Sequence, residues 1–403
     1  MKKIWALDIK YSAIQALYFG SFCALMGYAS VYLLNKGFSN SVIGIVLALI
    51  SAIAVFSQPT VAAFADKNKH IELRKIIAVM LLVTIVLSVG MFFLGKGSII
   101  LICAFIGIST CMQTMTPLLN SMAFMFEKHG IAINFGLGRG IGSAAYALVS
   151  LALGYLIEMD GFGSDMIPLV YIIFNILLLF IVYSFVVPKS EQQNIQDEEV
   201  VQEEYQQLSF IEFCKKYKKF MLFIFGTVFV YFTHTIINNF FIQIITPIHG
   251  TESDMGTAVF LAAIVELPAM IFFDSLRQKM KCTTLIKIAV ILFAVKHGLT
   301  YFASNMTTIY IAQALQMGAY AILTPACVYY ANQMIAKTDA IKGQSMVTMS
   351  YTASGILANL VGGVLLDAVG VQQVLLIGIF ISIIGVGIVF LALNGNNEVA
   401  MDK

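Results

Sequence analysis

Long apolar runs set the limits on what this sequence can fold into. Twelve such runs, each bounded by charged residues or by Gly, Pro and Asn, divide the 403 residues. A helix needs roughly 20 mostly apolar residues to cross the hydrocarbon core of a bilayer, and each run provides about that length. The runs occupy residues 11–35, 40–65, 73–94, 98–126, 133–158, 166–187, 219–247, 255–275, 283–304, 307–335, 343–368 and 371–394. The sequence therefore predicts an all-α membrane protein with twelve transmembrane helices.

Charged residues are scarce and lie mainly between the runs. They make up 11% of the chain, against about 25% in soluble domains, and the net charge of +2 gives no indication of nucleic-acid binding. If both termini are cytoplasmic, nearly all loop lysines and arginines fall on the cytoplasmic side, and only Lys36 and Lys96 fall outside. We therefore expect a multi-pass protein of the cell membrane, surrounded by lipid, with both termini in the cytoplasm.

One long polar segment divides the chain. Residues 188–218 are rich in Glu, Gln and Lys and join the sixth run to the seventh. The acidic part of this segment lacks the apolar residues that a packed core requires, which is typical of a solvated linker. The pattern predicts an N-terminal six-helix bundle over residues 1–187, a cytoplasmic linker over 188–218 and a C-terminal six-helix bundle over 219–403.

The two halves share short patterns at a constant separation. Gly154 and Glu158, near the end of the fifth run, correspond to Gly363 and Asp367, near the end of the eleventh, 209 residues later. A proline pair in the second and eighth runs has the same separation. This offset indicates a parallel repeat of two six-helix bundles, a design that places the binding site near the midplane between them.

Cysteines and sequence motifs give no sign of an enzyme. The six cysteines are scattered, without the spacing of a metal site or of a CxxC pair. A nucleophile paired with a base, a phosphate-binding loop and an ATPase motif are all missing from the sequence. We therefore expect no catalytic residues, no cofactor and no bound metal.

A few ionisable residues lie inside the apolar runs. A charge at the bilayer centre costs about 2.5–3.5 kcal/mol on insertion scales, so such residues are expected to face a cavity or a partner. They are Arg139, His234, Glu266, Lys296 and His297. Successive residues on a helix point about 100° apart, so only one of the neighbours Lys296 and His297 is expected to face the cavity.

Arg139 lies in the stretch INFGLGRGIGS, at the start of the fifth run. The glycines at positions 136, 138, 140 and 142 favour close helix contact around it. An arginine inside the membrane can hold a carboxylate or a sugar hydroxyl through its forked donors. The alternative is that Arg139 reaches the cytoplasmic surface, because it lies near the start of its helix.

Glu266 lies in the middle of the eighth run, just before Pro268. A carboxylate in this position can bind and release a proton if its charged partner comes and goes. We expect Arg139 to be its resting partner, with a bound solute competing for the arginine. The alternative is a permanent ion pair with Arg139 or Lys296.

Several motifs resemble those of the major facilitator superfamily. Ser57-Gln58-Pro59 followed by Ala65-Asp66-Lys67 is similar to the segment between the second and third helices of that superfamily. Residues 135–139, FGLGR, resemble the helix-five segment of the oligosaccharide:proton symporter group, which includes lactose permease and has the phenylpropionate and nucleoside permeases as neighbours. Asn239-Phe240-Phe241 resembles a helix-seven motif of the same group. The resemblance implies the major facilitator fold, with two pseudo-symmetric six-helix bundles, and a monomer.

The resemblance also implies roles for particular residues. In this group a helix-five arginine and a helix-eight glutamate bind substrate, an aromatic residue stacks on the sugar ring, and a helix-nine arginine helps to release the proton. The matching residues are Arg139, Glu266, Tyr146 and Lys296, with His234, Asn239, Asn120 and Gln316 as further polar lining. Glu266 is the expected proton-coupling residue, and Asp66 and Lys67 are expected to act at the cytoplasmic gate.

The chain departs from this pattern at three positions. Asn120 stands near the place of a helix-four carboxylate, Gln316 at the place of a helix-ten histidine, and Ala319 at the place of the proton-carrying glutamate of lactose permease. Either Glu266 serves both substrate and proton, or transport is not coupled to protons. The arginine and the lysine alternatively favour an anionic substrate.

Together these features predict a secondary active transporter that moves a small polar solute, a sugar or a nucleoside, together with a proton by alternating access. One alternative is a proton-coupled exporter of drugs or metabolites, since the many Phe and Met residues permit an apolar cavity. Another is a passive facilitator that lacks proton coupling. A membrane enzyme or a sensor without transport is a further alternative, which the missing catalytic motifs disfavour.

Overall fold

The protein is almost entirely helical. The computed structural model describes residues 5–68, 70–126, 131, 133–186 and 209–394. The N-terminal half contains α1 (Trp5–Phe22), α2 (Ala29–Asn35), α3 (Asn40–Lys67), α4 (Leu73–Met91), α5 (Ile99–Ser121), α6 (Phe135–Glu158) and α7 (Met166–Tyr183). The C-terminal half contains α8 (Phe210–Lys216), α9 (Lys218–Asn239), α10 (Phe241–Ile245), α11 (Glu252–Ile271), α12 (Phe273–Lys279), α13 (Cys282–Tyr301), α14 (Met306–Ala314), α15 (Tyr320–Met334), α16 (Ala340–Val369) and α17 (Val371–Leu393).

Eleven helical segments in the described part of the chain are long and apolar enough to cross a membrane. One of them, Met306–Met334, joins α14 and α15 through a short 3-10 turn. A twelfth span arises if α1 and α2, bent by 44°, form one span. The bend follows a π-helical turn at Cys23–Gly27, the kind of irregularity that kinks a helix. The predicted all-α class with up to twelve spans is confirmed, although the first helix begins at Trp5 rather than at residue 11.

If α1 and α2 form one span, the described part of the chain has twelve spans, and its two ends lie on one side of the membrane. We call this side the terminal face; α1 begins there and α17 ends there. The opposite side is called the distal face, where α6 and α16 end and where α3 and α11 begin.

Side-chain caps fix where several helices begin. Ser39 accepts a hydrogen bond from the backbone of Val42 at the start of α3. Thr251 and Asp254 form a reciprocal capping box at the start of α11. Such caps satisfy backbone N–H groups that have no partner within the helix. The caps therefore fix where α3 and α11 begin at the distal face, and the first turn of each of these helices contacts the other half.

Small residues bring helices into close contact within the N-terminal half. A Cβ on Gly138 would lie 2.6 Å from the ring of Tyr11, and one on Gly142 would lie 2.6 Å from the ring of Phe19. These two glycines therefore hold α6 against α1, as the glycine-rich stretch predicts. A Cβ on Gly140, on another face of α6, would have no atom within 4 Å in the described part of the chain.

Large apolar side chains cover the outer surface. Phe56, Phe93, Phe180 and Leu391 are more than two-thirds exposed. A soluble protein rarely exposes apolar residues on such a scale, but a bilayer solvates them.

The helix α8 lies within the segment predicted to be a linker. Residues 188–208 of that segment lie outside the described residues, whereas α8 begins with a capping box of Ser209 and Glu212. Its Lys216 forms an ion pair of 2.9 Å with Asp339, which also accepts a hydrogen bond of 2.8 Å from Tyr217. The hydrogen bond from Lys216 to the Asp339 carboxylate raises the pKa of the lysine. These contacts attach the end of the predicted linker to the C-terminal half.

Candidate functional site

Arg139 lies in the space between the two halves. Its guanidinium carbon is 3.9 Å from the ring centroid of Phe19, and the side chain is exposed. The hydroxyls within its electrostatic reach belong to Tyr11 and Tyr18 of α1 and to Tyr320 of α15. Because Tyr320 belongs to the opposite half, the arginine faces the cavity between the halves.

A polar cluster on α1 packs against α6 at Gly138, next to the arginine. Gln15 is fully buried and donates hydrogen bonds to the Tyr11 hydroxyl at 2.8 Å and to the Asn120 side chain at 3.3 Å. Asn120, predicted as cavity lining, therefore contacts α1. Gln15 was not identified from the sequence, because a lone glutamine in an apolar run gives only a weak signal.

The C-terminal half contributes a cation, an amide and a carboxylate. Lys296 is fully buried on α13 and donates a hydrogen bond of 2.5 Å to the Gln316 side chain. Gln316 lies in the 3-10 turn Leu315–Met317 and also reaches Glu266 on α11. Glu266 and Lys296 interact electrostatically, so these three residues form one group.

This group corrects the expected pairing of Glu266 with Arg139. The carboxylate is grouped with Lys296 and Gln316 of its own half, and among the described residues it forms no ion pair with the arginine. The sequence left both cations open as partners of Glu266, because it does not show which side chains meet. The alternative, a permanent ion pair, is not formed with Lys296 either among the described residues, since Gln316 accepts the lysine's hydrogen bond and the carboxylate and the lysine interact only electrostatically.

Tyrosines surround the acidic side of the cavity. Tyr146 of α6 and Tyr320 and Tyr351 of the C-terminal half are all within electrostatic reach of Glu266. The ring centroids of Tyr320 and Tyr351 are 6.4 Å apart. Tyr146, predicted to stack on a ring of the substrate, thus faces the carboxylate from the opposite half. The sequence analysis did not identify Tyr320 and Tyr351, because tyrosines are frequent in this chain.

The two histidines lie deeper in the C-terminal half. His297 bonds Ser382 of α17 at 2.8 Å, so it points away from Lys296, as expected for neighbours on a helix. His234 is 1% exposed, bonds Asn238 at 3.0 Å and lies edge-on to Phe293. The structure therefore places His234 in the packed core beside the cavity.

Asn239 lies nearer the distal face. Its side chain donates a hydrogen bond of 2.7 Å to Asn359 of α16, and its carbonyl accepts one from Ser30 of α2. The bond with Ser30 joins the two halves. These bonds make Asn239 part of an interhelical contact, separate from the group around Glu266.

The predicted gate residues Asp66 and Lys67 are exposed at the end of α3, on the terminal face. No bond links either side chain to another residue within the described ranges. Their gating role stays a prediction.

Two carboxylates connect the halves at the distal face. Glu158, at the end of α6, accepts hydrogen bonds from the backbone N–H of Ser253 at 2.6 Å and from its hydroxyl at 2.9 Å. Asp367, near the end of α16, accepts bonds of 2.7 and 2.6 Å from the N–H and hydroxyl of Ser41, and two more from Asn40. Each carboxylate therefore caps the first turn of a helix in the other half, where anions are favoured. We call these two sets of bonds the distal latch.

Glycines permit the close approach that the distal latch requires. A Cβ on Gly363 would lie 2.4 Å from the carbonyl oxygen of Asn40, and one on Gly154 would lie 2.5 Å from that of Glu252. Gly44 and Gly256 on the facing helices are equally crowded. The distal face is thus closed by α3 against α16 and by α6 against α11, while Arg139 remains exposed toward the terminal face.

Within the described residues, no group of three or more His, Cys, Asp or Glu side chains is placed to hold a metal ion.

Comparison with known proteins decides the family. Residues 8–377 match the MFS_1-like family. The chain belongs to that family, which confirms the resemblance to the major facilitator superfamily. It is 26% identical over 121 residues to the "Putative sugar efflux transporter" of Deinococcus radiodurans, a match that covers 30% of this chain and 30% of that relative.

Solved structures show the same fold. The crystal structure of the nucleoside transporter NupG aligns with a TM-score of 0.79 and 13% identity, over 96% of this chain and 99% of that one. A bacterial homologue of the iron transporter ferroportin, in an inward-facing state, aligns with a TM-score of 0.72 and 12% identity, over 98% and 100%. This member of the MFS_1-like family therefore has the fold of these multi-pass membrane transporters.

Proposed function

We propose that this protein takes up a small polar solute, a sugar or a nucleoside, together with a proton. The terminal face is then cytoplasmic, as the distribution of lysine and arginine favours. Two halves, residues 1–187 and 219–403 of a monomer, alternately expose the site as they rock about it. The names of NupG and of the Deinococcus relative agree with a substrate of this class.

The division of the site between the halves supports this function most directly. Arg139 and Tyr146 come from α6, whereas Glu266, Gln316 and Lys296 come from the C-terminal half. A solute bound to both sets ties the halves together, and its release allows them to separate. The exposed pair Asp66 and Lys67 lies on the terminal face, where contacts between helix ends must form when that face closes.

Glu266 is the proposed proton carrier. It is the carboxylate that approaches Lys296, and it does so through Gln316, whose amide can serve the lysine and the carboxylate at once. When Glu266 is protonated, the charge of Lys296 loses its counterion, and when it is ionised the pair is compensated. Proton binding at this residue therefore changes the electrostatics of the whole group.

We expect Glu266→Gln to abolish proton-driven accumulation while leaving exchange of substrate across the membrane. The amide keeps the shape and hydrogen bonds of a protonated acid but cannot release a proton. The measurement is the pH change that sugars and nucleosides cause in proteoliposomes, together with counterflow of the same solute. Glu72→Gln is the matched control, because Glu72 lies on the surface, bonded to Arg74 and Lys75.

Three results decide against this assignment. Intact accumulation by Glu266→Gln means that another group carries the proton. Exchange without any solute-dependent pH change in the unmodified protein means that it is a passive facilitator. Proton release from the vesicle lumen against the solute flux indicates export, the activity named for the Deinococcus relative.

A further inference from the structure

The charges around the cavity do not balance. Among the described residues, two cations and one carboxylate lie here: Arg139, which is exposed between the halves, Lys296, which is fully buried, and Glu266, which interacts with Lys296. The lysine is compensated, since it shares Gln316 with Glu266 and interacts with it electrostatically. The positive charge of Arg139 is the one left over.

No acid among the described residues compensates Arg139. The groups within its electrostatic reach are tyrosine hydroxyls, which are neutral in this setting. Asp8, the acidic residue of α1, instead accepts a hydrogen bond of 2.7 Å from the backbone N–H of Asn134, at the start of α6. The Arg139 side chain is exposed, so a solute between the halves can reach it, and charged residues within membrane spans generally have a functional partner.

The geometry of Arg139 leaves its donors available. The guanidinium rests on the ring of Phe19, with 3.9 Å between the central carbon and the ring centroid. A stack of this kind uses the flat face of the guanidinium, whereas its five N–H donors point outward in the plane. Within the described ranges no residue accepts a hydrogen bond from those donors. A planar fork held on an aromatic ring is suited to a carboxylate, which it binds through two parallel hydrogen bonds.

We propose that the solute carries a carboxylate, which Arg139 binds, and hydroxyl groups, which the tyrosines and Glu266 bind. The site thus takes a small hydroxylated carboxylic acid, such as a sugar acid, rather than a neutral sugar or nucleoside. This inference rests on the proposed transport of a small polar solute, and within that class it replaces the neutral sugar or nucleoside with an acidic solute.

The balance of charge favours a carboxylate over a phosphate. A carboxylate brings one negative charge, which matches the charge of Arg139 itself in either protonation state of Glu266. A phosphate ester carries about 1.5 to 2 negative charges at neutral pH and leaves an excess. The proposed binding of the solute's hydroxyl groups rests on three tyrosines next to Glu266, whose side chains offer donors and acceptors: Tyr146, Tyr320 and Tyr351.

The test is a thermal-shift titration of the full chain in detergent, at constant ionic strength. The acidic probes are glucuronate, galacturonate and gluconate. The matched neutral probes are glucuronamide, glucose, sorbitol and uridine, and glucose 6-phosphate serves as the phosphate probe. The variants are Arg139→Gln and Arg139→Lys, with Arg74→Gln as control, because Arg74 is bonded to Glu72 at the surface.

We expect at least one acid to stabilise the unmodified protein while its neutral counterpart does not. Arg139→Gln then weakens binding of that acid on the order of 10- to 100-fold, because charge-assisted bidentate bonds are lost. Arg139→Lys retains the positive charge but lacks the forked donors, so its affinity for the acid lies between those of the unmodified protein and Arg139→Gln. Arg74→Gln binds the acid as the unmodified protein does. Unliganded melting temperatures of the variants show whether they are folded.

Each other outcome overturns the inference in a distinct way. Stabilisation by a neutral sugar or by uridine, equal to or stronger than that by the acids, leaves the proposed function in place and excludes the carboxylate. Stabilisation by glucose 6-phosphate alone replaces the carboxylate with a phosphate. If no probe of any class stabilises the protein, the carboxylate and the proposed substrate class fail together.

Discussion

A single methyl group on each of two glycines is expected to hold the distal face open. The double variant Gly154→Ala and Gly363→Ala places a Cβ at 2.5 Å from the carbonyl oxygen of Glu252 and another at 2.4 Å from that of Asn40. Both oxygens belong to the backbone of a helix in the other half, so they cannot turn aside as a side chain can. The helices must separate, and the closed distal face becomes unfavourable.

The size of this effect follows from the cost of overpacking. Extra methyl groups in a close-packed contact cost about 1–3 kcal/mol each. Two independent sites then shift the equilibrium between the closed and open distal face by about 2–6 kcal/mol, or roughly 30- to 10,000-fold. A transporter held in one state cannot complete its cycle, so we expect accumulation of solute to be lost while the protein remains folded.

Cys23 offers a direct measurement of this opening. It is 1% exposed, in the π-helical turn of the first span, and its sulfur lies near Gly27, which also faces Tyr146. The rate at which a membrane-impermeant maleimide alkylates Cys23 reports opening, in a background where the other five cysteines are serine. We expect a fast rate in the double variant and a slow rate in the parent.

The same two helices provide matched controls. Gly140 of α6 and Gly355 of α16 have no described atoms within 4 Å of a Cβ position, so alanine is accommodated there. Alanine in a helix is also preferred over glycine by about 0.5–1 kcal/mol. The control pair Gly140→Ala and Gly355→Ala is therefore expected to transport normally and to leave Cys23 protected. If Cys23 is protected equally in this control pair and in the variant Gly154→Ala and Gly363→Ala, the close contacts at Gly154 and Gly363 do not control closure of the distal face.

The fold was predictable because the bilayer imposes simple rules on sequence. Runs of apolar residues of membrane-spanning length can only become helices, and their number and spacing gave the spans correctly. The bend in the first span was not predictable, since Cys23–Gly27 continues the apolar run without a proline. Its π-helical turn packs against α6 and α7, and no local pattern records that packing.

The sequence indicated which polar residues to examine but not how they contact one another. The structure brings Glu266, Gln316 and Lys296 into one group and places Tyr146 within electrostatic reach of Glu266, whereas the binding roles of these residues and of Arg139 stay predictions. Whether Arg139 or Lys296 approaches Glu266 depends on the directions of the side chains. It also depends on the 3-10 turn between α14 and α15, which carries Gln316. That information is three-dimensional, so the expected partnership of the arginine with the carboxylate was wrong.

The distal latch is the clearest case of a sequence pattern whose structural meaning could not be read from the sequence. The sequence repeat paired Glu158 with Asp367 at a separation of 209 residues, but the pairing was only evidence of symmetry. The structure shows why both positions carry an acid, because each ends a helix that meets the start of a helix from the other half. A matching acid at symmetric helix ends is thus a signal for a contact between halves.

Removing the charge of both latch residues is expected to open the distal face without any steric change. In the double variant Glu158→Gln and Asp367→Asn, each amide keeps one accepting oxygen but replaces the other with a donor that faces N–H groups. Hydrogen bonds to charged groups contribute about 1.5–3 kcal/mol each, and the interaction with the helix dipole adds about 0.3–1 kcal/mol. Both contributions exist only when the distal face is closed, so their loss favours the open state.

The double variant Glu158→Gln and Asp367→Asn is expected to differ from the double variant Gly154→Ala and Gly363→Ala in whether the distal face can still close. The amides add no bulk at Gly154 or Gly363, so the distal face can still close, and transport is expected to slow rather than stop. Each amide keeps one accepting oxygen, so if the loss is only about 1 kcal/mol at each position, alkylation of Cys23 should rise by about 10- to 100-fold. The reverse pair Glu158→Asp and Asp367→Glu keeps both charges and is expected to retain protection of Cys23. Unchanged alkylation in the amide variant means that the glycine contact alone closes the distal face, and that the carboxylates only terminate their helices.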